Sequence, residues 1–123
     1  MAGTSLAGGV ARHGETCGAL TGAIMAVGIA KGRKTIEDID AYEACMKLAL
    51  EVRERFLERV GHTLCAEIQK IILGRSYRMY DEKDRQKFHN DGGHERTGCP
   101  GVCGKGARIA AEIILREREK GAG

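Results

Sequence analysis

Two cysteines four residues apart, Cys99 and Cys103, lie in a glycine-rich segment between Gly98 and Gly104 near the end of the chain. Pro100 has no N–H and a fixed φ, which suits the first position of a helix, so we expect Cys99 to be the N-cap and Cys103 to lie one turn inside. The positive end of a helix favours thiolate over thiol, and thiolate is both a nucleophile and a metal ligand. The spacing therefore predicts a reactive or metal-binding pair of sulfurs.

Two further cysteines, Cys17 and Cys65, also fall in the first turns of predicted helices, so four of the five cysteines lie at helix starts. If these helix starts converge, they form a four-thiolate pocket, and soft thiolate ligands select an iron–sulfur cluster or tetrahedral zinc. Free N–H groups at helix starts also donate hydrogen bonds to cluster sulfurs, which raises the reduction potential. The predicted cofactor and metal ligands are Cys17, Cys65, Cys99 and Cys103.

Two alternatives stay open on the residues alone. Zinc sites commonly show paired short spacings, and this chain has a single CxxxC pair. A thiol-disulfide switch between Cys99 and Cys103 needs a distortion at Gly101, because four residues along a regular helix place the Cα atoms near the upper limit for a disulfide. Cys45 lies on an apolar helix face and is predicted to be a core residue. The four histidines, His13, His62, His89 and His94, are expected to be solvated loop residues, and His62 is the best candidate among them to hydrogen-bond a cluster or replace one ligand.

Composition predicts an all-α fold in one domain spanning residues 1–123, a bundle of about four helices with a long loop before the last one. Tryptophan is absent and aromatic residues are few, so Ile, Leu, Val, Ala and Met must build the core. The net charge of +3 comes from interleaved acidic and basic residues, which argues against nucleic acid as a partner. No apolar run is long enough for a membrane span, and no signal peptide is recognisable, so we expect a cytoplasmic protein with reduced cysteines.

The chain divides at its glycines and polar runs. We expect a flexible glycine-rich lead-in at 1–14, helices at about 16–31, 35–60, 64–73 and 99–120, and a long polar loop at 75–97 that includes a possible short helix at 81–87. Thr35 and Thr63 are the predicted caps of the second and third helices. In the first helix, Gly18, Gly22 and Ala26 form a row of small residues that would let another helix approach closely.

Three segments of the sequence resemble one known family. They are residues 8–23, 60–65 and 98–103, with Gly-Glu-Thr-Cys-Gly-Ala as the most specific part. They are similar to the C-GCAxxG-C-C family of redox-active proteins, small helical proteins of bacteria and archaea, and to a domain of split-Soret cytochromes c associated with an iron–sulfur centre. By this resemblance Cys17, Cys65 and Cys99 match family cysteines, whereas Cys103 is assigned by spacing.

Family members usually begin with a further cysteine-bearing helix, and this sequence starts after its expected position. Either Cys103 supplies the fourth ligand instead, or the cluster has another coordination. The missing helix would also expose an apolar face of the first helix, so we expect a homodimer. The leading hypothesis is an iron–sulfur protein, with [2Fe–2S] favoured over [4Fe–4S], that transfers electrons to a partner protein or senses redox state. A thiol-disulfide oxidoreductase and a zinc-stapled interaction module are the alternatives, and the question of enzyme activity stays open.

Overall fold

The computed structural model describes residues 1–122 and confirms the all-α prediction, with five α-helices rather than about four. The helices are α1 (Gly18–Lys31), α2 (Ile39–Val60), α3 (Cys65–Leu73), α4 (Glu82–Asn90) and α5 (Cys99–Ala122), preceded by a short 3-10 helix at Thr4–Leu6. The additional helix is α4, which lies inside the predicted long loop. Asp81 caps it by accepting a hydrogen bond from the N–H of Asp84. Within residues 1–122, no helix has the combination of length and apolar character that crossing a bilayer requires.

The hydrophobic core lies between α1, α2 and α5, which pack against one another in pairs. Its buried members come from all three helices and from Ile68 of α3: Leu20, Ala23, Val27, Val52, Phe56, Val60, Val102, Ile109, Ala110 and Ile113. Aliphatic side chains and a single phenylalanine therefore fill the core, as the composition predicts. On α2 the fully buried positions begin only at Val52, so Tyr42 is exposed and Cys45 is half-buried rather than a core residue.

The helix ends follow the glycines more closely than the predicted caps. Gly32, Gly61 and Gly74 end α1, α2 and α3 as predicted, and the last two have the positive φ that glycine adopts most easily. Two predicted caps are wrong. The N-cap of α2 is Asp38, whose carboxylate accepts from the N–H of Ala41, and Thr63 lies outside the start of α3.

The glycine-rich lead-in folds into a left-handed turn. Gly8 to Arg12 all have φ between +51° and +76°, including the non-glycine residues Val10, Ala11 and Arg12. Backbone hydrogen bonds across the turn hold this conformation, for example from the N–H of Ala11 to the carbonyl of Ser5 at 2.9 Å. A left-handed conformation costs about 1–2 kcal/mol for each non-glycine residue. The segment expected to be a flexible lead-in is therefore a specific, hydrogen-bonded structure.

The predicted row of small residues in α1 does not receive a closely packed helix. A Cβ added at Gly22 would meet nothing within 4 Å, and Gly22 lies in an open groove between α1 and α5 that is lined mainly by glycine and alanine. The close approach of the two helices occurs at Gly106 of α5, where a Cβ would lie 2.7 Å from the carbonyl oxygen of Ala19. The glycine that permits this contact is on the opposite helix from the predicted row.

Candidate functional site

One cavity of about 630 Å³ is bordered by all four of the predicted cysteines, Cys17, Cys65, Cys99 and Cys103. The sulfurs are close enough for their charges to interact. Cys17 interacts electrostatically with each of the other three, and Cys99 interacts with Cys65 and Cys103. The fifth cysteine, Cys45, is not part of this wall. The fold therefore brings together the four cysteines that the sequence placed at helix starts.

A short antiparallel pairing positions Cys17 beside Cys65. Thr16 and Leu64 form a β-bridge, the N–H of Cys17 donates to the carbonyl of Thr63 at 2.9 Å, and the N–H of Cys65 donates to the carbonyl of Glu15 at 2.6 Å. The starts of α1 and α3 are thus joined through their backbones. This pairing fixes the separation of the two cysteines independently of their side chains.

The left-handed turn closes the cavity behind Cys65. Gly9 is buried, and a Cβ added there would lie 2.6 Å from the Cβ of Cys65 and 2.6 Å from the backbone nitrogen of Glu15. Only a residue without a side chain fits this position. The turn therefore brings backbone into direct contact with the cysteine.

The second pair of sulfurs belongs to α5. The helix begins at Cys99 as predicted, with Cys99 as its first residue rather than its N-cap, and the N–H of this residue donates to the carbonyl of Gly93 at 2.9 Å. Cys103 lies one turn further along the helix and is exposed, whereas Cys99 is half-buried. The pair thus has one thiol inside the cavity wall and one thiol accessible to solvent.

The prediction that helix starts favour thiolate is wrong for three of the four cysteines. Burial raises the pKa of Cys65 to about 12 and the pKa of Cys99 to about 11, and repulsion from neighbouring thiolates adds to both shifts. At Cys17 the backbone N–H groups of Ala19 and Leu20 lower the pKa, but burial has the larger effect and the pKa is raised. Desolvation thus raises the pKa of all three thiols, and Cys65 and Cys99 are protonated at neutral pH.

Gln69 is a neighbour of Cys65 that the sequence analysis missed. Its side chain is 1% exposed, its amide nitrogen donates to the Cys65 sulfur at 3.7 Å, and its amide oxygen accepts from the N–H of Tyr77 at 2.8 Å. Gln69 follows Cys65 by four residues, one helical turn, on the apolar face of α3. A polar glutamine on an apolar helix face, one turn after a cysteine, is the sequence feature that indicates this contact.

The four histidines fall into two groups. His89 and His94 border the cavity with their ring centroids 5.3 Å apart. His62 is outside the cavity wall, and its Nδ1 accepts hydrogen bonds from the N–H groups of Thr63 and Leu64 at 2.9 and 3.0 Å. His62 therefore orders the backbone that precedes Cys65 and lies outside the cavity. His13 stacks on Tyr80 with centroids 5.0 Å apart.

The donor set, four cysteine sulfurs bordering one cavity, is of the type that binds iron–sulfur clusters or zinc. Among residues 1–122, no three His, Cys, Asp or Glu side chains lie close enough together to form a ready-made site for one metal ion. A tetrahedral zinc site needs its four sulfurs about 2.3 Å from one point. A cluster spreads its ligands over several irons, so its ligands are spaced more widely than those of a single ion. Cys17, Cys65, Cys99 and Cys103 are the residues that would hold it.

Comparison with protein families gives a match over most of the chain. The model of a family described as "Putative redox-active protein (C_GCAxxG_C_C)" matches residues 1–113. The match includes all four cavity cysteines. Searches among curated proteins and among solved structures find no match to this chain.

Proposed function

Since this chain belongs to the C_GCAxxG_C_C family of redox-active proteins, we propose that it binds an iron–sulfur cluster through Cys17, Cys65, Cys99 and Cys103 and uses it for electron transfer or redox sensing. The observation that carries the proposal is the position of these four cysteines on one cavity. Four thiolates are the usual ligand set of [2Fe–2S] and [4Fe–4S] clusters, and we favour [2Fe–2S]. When bound, the cluster supplies one-electron transfer.

Each part of the cavity has a distinct role in this proposal. Cys17 and Cys65 are held by the backbone pairing of α1 with α3, so they form the fixed half of the ligand set. Gln69 donates a hydrogen bond to the Cys65 sulfur, and such donors stabilise the negative charge of a reduced centre. Cys103 is the exposed ligand, so electrons would pass to a partner protein at this side of the cavity.

Anaerobic reconstitution with iron and sulfide tests the proposal. We expect about two irons and two sulfides per chain and visible absorption bands from a cluster. Replacing Cys17, Cys65 or Cys99 with serine should abolish or greatly reduce the bound iron, because a hard hydroxyl is a poor ligand for it. Cys45→Ser is the matched control, since Cys45 is half-buried elsewhere, and it should load normally. Protein that stays colourless and free of iron would overturn the proposal.

Two other results would favour one of the alternative functions over an iron–sulfur protein. Stoichiometric zinc without visible colour would favour the zinc-stapled module. A disulfide between Cys99 and Cys103 that forms and breaks reversibly across a redox titration would favour the thiol-disulfide oxidoreductase. The exposed thiol of Cys103 is accessible to a substrate disulfide, which is the specific observation in favour of the latter. In that case a Cys103→Ser protein should no longer cycle.

A further inference from the structure

Most of the length of α2 presents an apolar face that no part of the described chain covers. Ile39, Met46, Leu50 and Leu57 lie on this face and are 57%, 49%, 54% and 40% exposed. Their positions recur at intervals of seven and four residues, which places them in one row along the helix. The row is separate from the buried row of Val52, Phe56 and Val60, which faces α1 and α5.

The same row contains two charges of opposite sign. Glu43 lies between Ile39 and Met46, and Arg53 lies between Leu50 and Leu57, so the sequence of the row is apolar, acidic, apolar, apolar, basic, apolar. Both side chains are exposed, and within residues 1–122 neither forms an ion pair. Read backwards, the row has the same order with the two charges exchanged. This is the pattern of a surface that complements itself in antiparallel orientation.

We propose that α2 pairs with α2 of a second copy of this chain in an antiparallel, two-fold symmetric dimer. About one axis, residues of the two copies lie opposite one another as follows: Ile39 and Leu57, Met46 and Leu50, and Glu43 and Arg53. Because a two-fold axis repeats every contact, the interface contains two Glu43–Arg53 ion pairs and four apolar layers. The proposal is independent of the cluster, since α2 lies outside the cavity wall.

Other arrangements of the two helices fit less well. A parallel pair would set Glu43 against Glu43 and Arg53 against Arg53, and like charges at such positions are unfavourable. Moving the antiparallel register by one heptad would set Arg53 opposite Leu50 and leave Glu43 without a partner. Asp40, Lys47 and Glu54 flank the row, and in the proposed register Lys47 approaches Lys47 and Asp40 approaches Glu54 of the second copy. This like-charge edge limits the affinity, so the dimer should be a reversible one.

Charge exchange tests both the dimer and its orientation. Sedimentation velocity of the apoprotein should show a concentration-dependent monomer–dimer equilibrium. Glu43→Arg and Arg53→Glu should each weaken association by about tenfold or more, and the double variant should return to within about threefold of the original chain. Glu119→Arg, a charge reversal at an exposed site on α5, should change little. A chain that is monomeric throughout the micromolar range, or a double variant as weak as the singles, would overturn the proposal.

Cross-linking gives the register. A mixture of Met46→Cys and Leu50→Cys chains, mildly oxidised, should yield a disulfide between positions 46 and 50, identified by mass spectrometry of the peptides. A disulfide that instead joins position 46 to position 46 would indicate a parallel dimer and contradict the proposal. All variants lie on an exposed helix face, and circular dichroism checks that each is folded.

Discussion

At the scale of single residues, the cavity depends on side chains and backbone that contact Cys65 or order the chain around it. None of these residues belongs to a recognisable sequence motif. Gln69 links the Cys65 sulfur to the backbone of the segment after α3, and His62 orders the backbone before α3. Because Gly9 has no side chain, the backbone of the left-handed turn can lie in contact with Cys65. The sequence identified the four sulfurs, but these supports depend on contacts between distant parts of the chain, which local patterns do not report.

Replacing Gln69 with leucine should destabilise the protein. The change leaves the buried N–H of Tyr77 without its acceptor, and an unsatisfied buried donor costs about 1–3 kcal/mol. Urea unfolding monitored by circular dichroism measures the loss. Gln86→Leu is the control, since that amide is exposed on α4, and its effect should stay within about 0.5 kcal/mol. Equal stability of the two variants would contradict the role of Gln69.

Two glycine-to-alanine changes should have opposite signs. Gly9→Ala forces a side chain into a position with φ +76° and a contact of 2.6 Å, so we expect a loss of about 2 kcal/mol or more. Gly22→Ala adds a methyl group to open space within α1 and removes a poor helix former, so it should gain up to about 1 kcal/mol. Thermal unfolding of both variants decides the question, and a stabilising Gly9→Ala would show that the turn is not required.

At the scale of elements, most helices could be predicted, because apolar periodicity and the glycines that end helices are both visible in short stretches of sequence. Gly61 and Gly74 end their helices where the sequence indicated. On α2 the periodicity selects the apolar face that carries Cys45. That face is buried from Val52 to Val60, where α2 meets α1 and α5, but only half-buried at Cys45 itself. The charged face of α2 forms an ion-pair cluster with α5, whose members are Glu51, Arg55, Arg59, Glu112 and Arg116.

This cluster should make stability depend on pH. The hydrogen bond from Arg116 is the largest effect that lowers the pKa of Glu51, and the charges of Arg116 and Arg55 add to it. A carboxylate whose pKa is lower in the folded state contributes stability above its unfolded pKa, and this contribution is lost as the pH falls through its folded value. Because the side chains are about one third exposed, we expect less than about 1 kcal/mol.

Urea unfolding of the original chain and of Glu51→Gln, at about pH 7 and about pH 3, isolates this contribution. The glutamine variant should be less stable at neutral pH, and the difference should shrink in acid. Glu54→Gln, a change at an exposed carboxylate of the same helix, corrects for general charge effects. A difference that stays constant between the two pH values would show that Glu51 acts through packing alone.

At the scale of the whole molecule, the four cysteines come from three helix starts that lie far apart in the sequence. The helices that carry them, α1, α3 and α5, are brought together by the core and by the backbone pairing of Thr16 with Leu64. The sequence could indicate that these helix starts converge only because the cysteines share a chemistry. It could not give the raised pKa values, since burial of each thiol depends on the whole assembly.

If the cluster is bound as proposed, its removal should lower the stability of the entire domain. A ligand that binds only the folded state stabilises that state, so the loaded protein should have the higher Tm. Differential scanning calorimetry before and after anaerobic iron chelation measures the shift. Cys45→Ser protein should show the same shift as the original chain, and an unchanged Tm on chelation would indicate that the iron is not held by the folded cavity.

The pairing of residues 14–17 with 63–66 also closes a loop of chain that contains all of α1 and α2. We expect such a closure to come late in folding, because the entropy of a long loop is lost before the contacts that compensate it are made. The helical hairpin can thus assemble while the thiols of Cys17 and Cys65 are still apart and open to solvent. If the cluster is bound as proposed, this order of events would leave an interval in which iron and sulfide can enter before the left-handed turn covers Cys65.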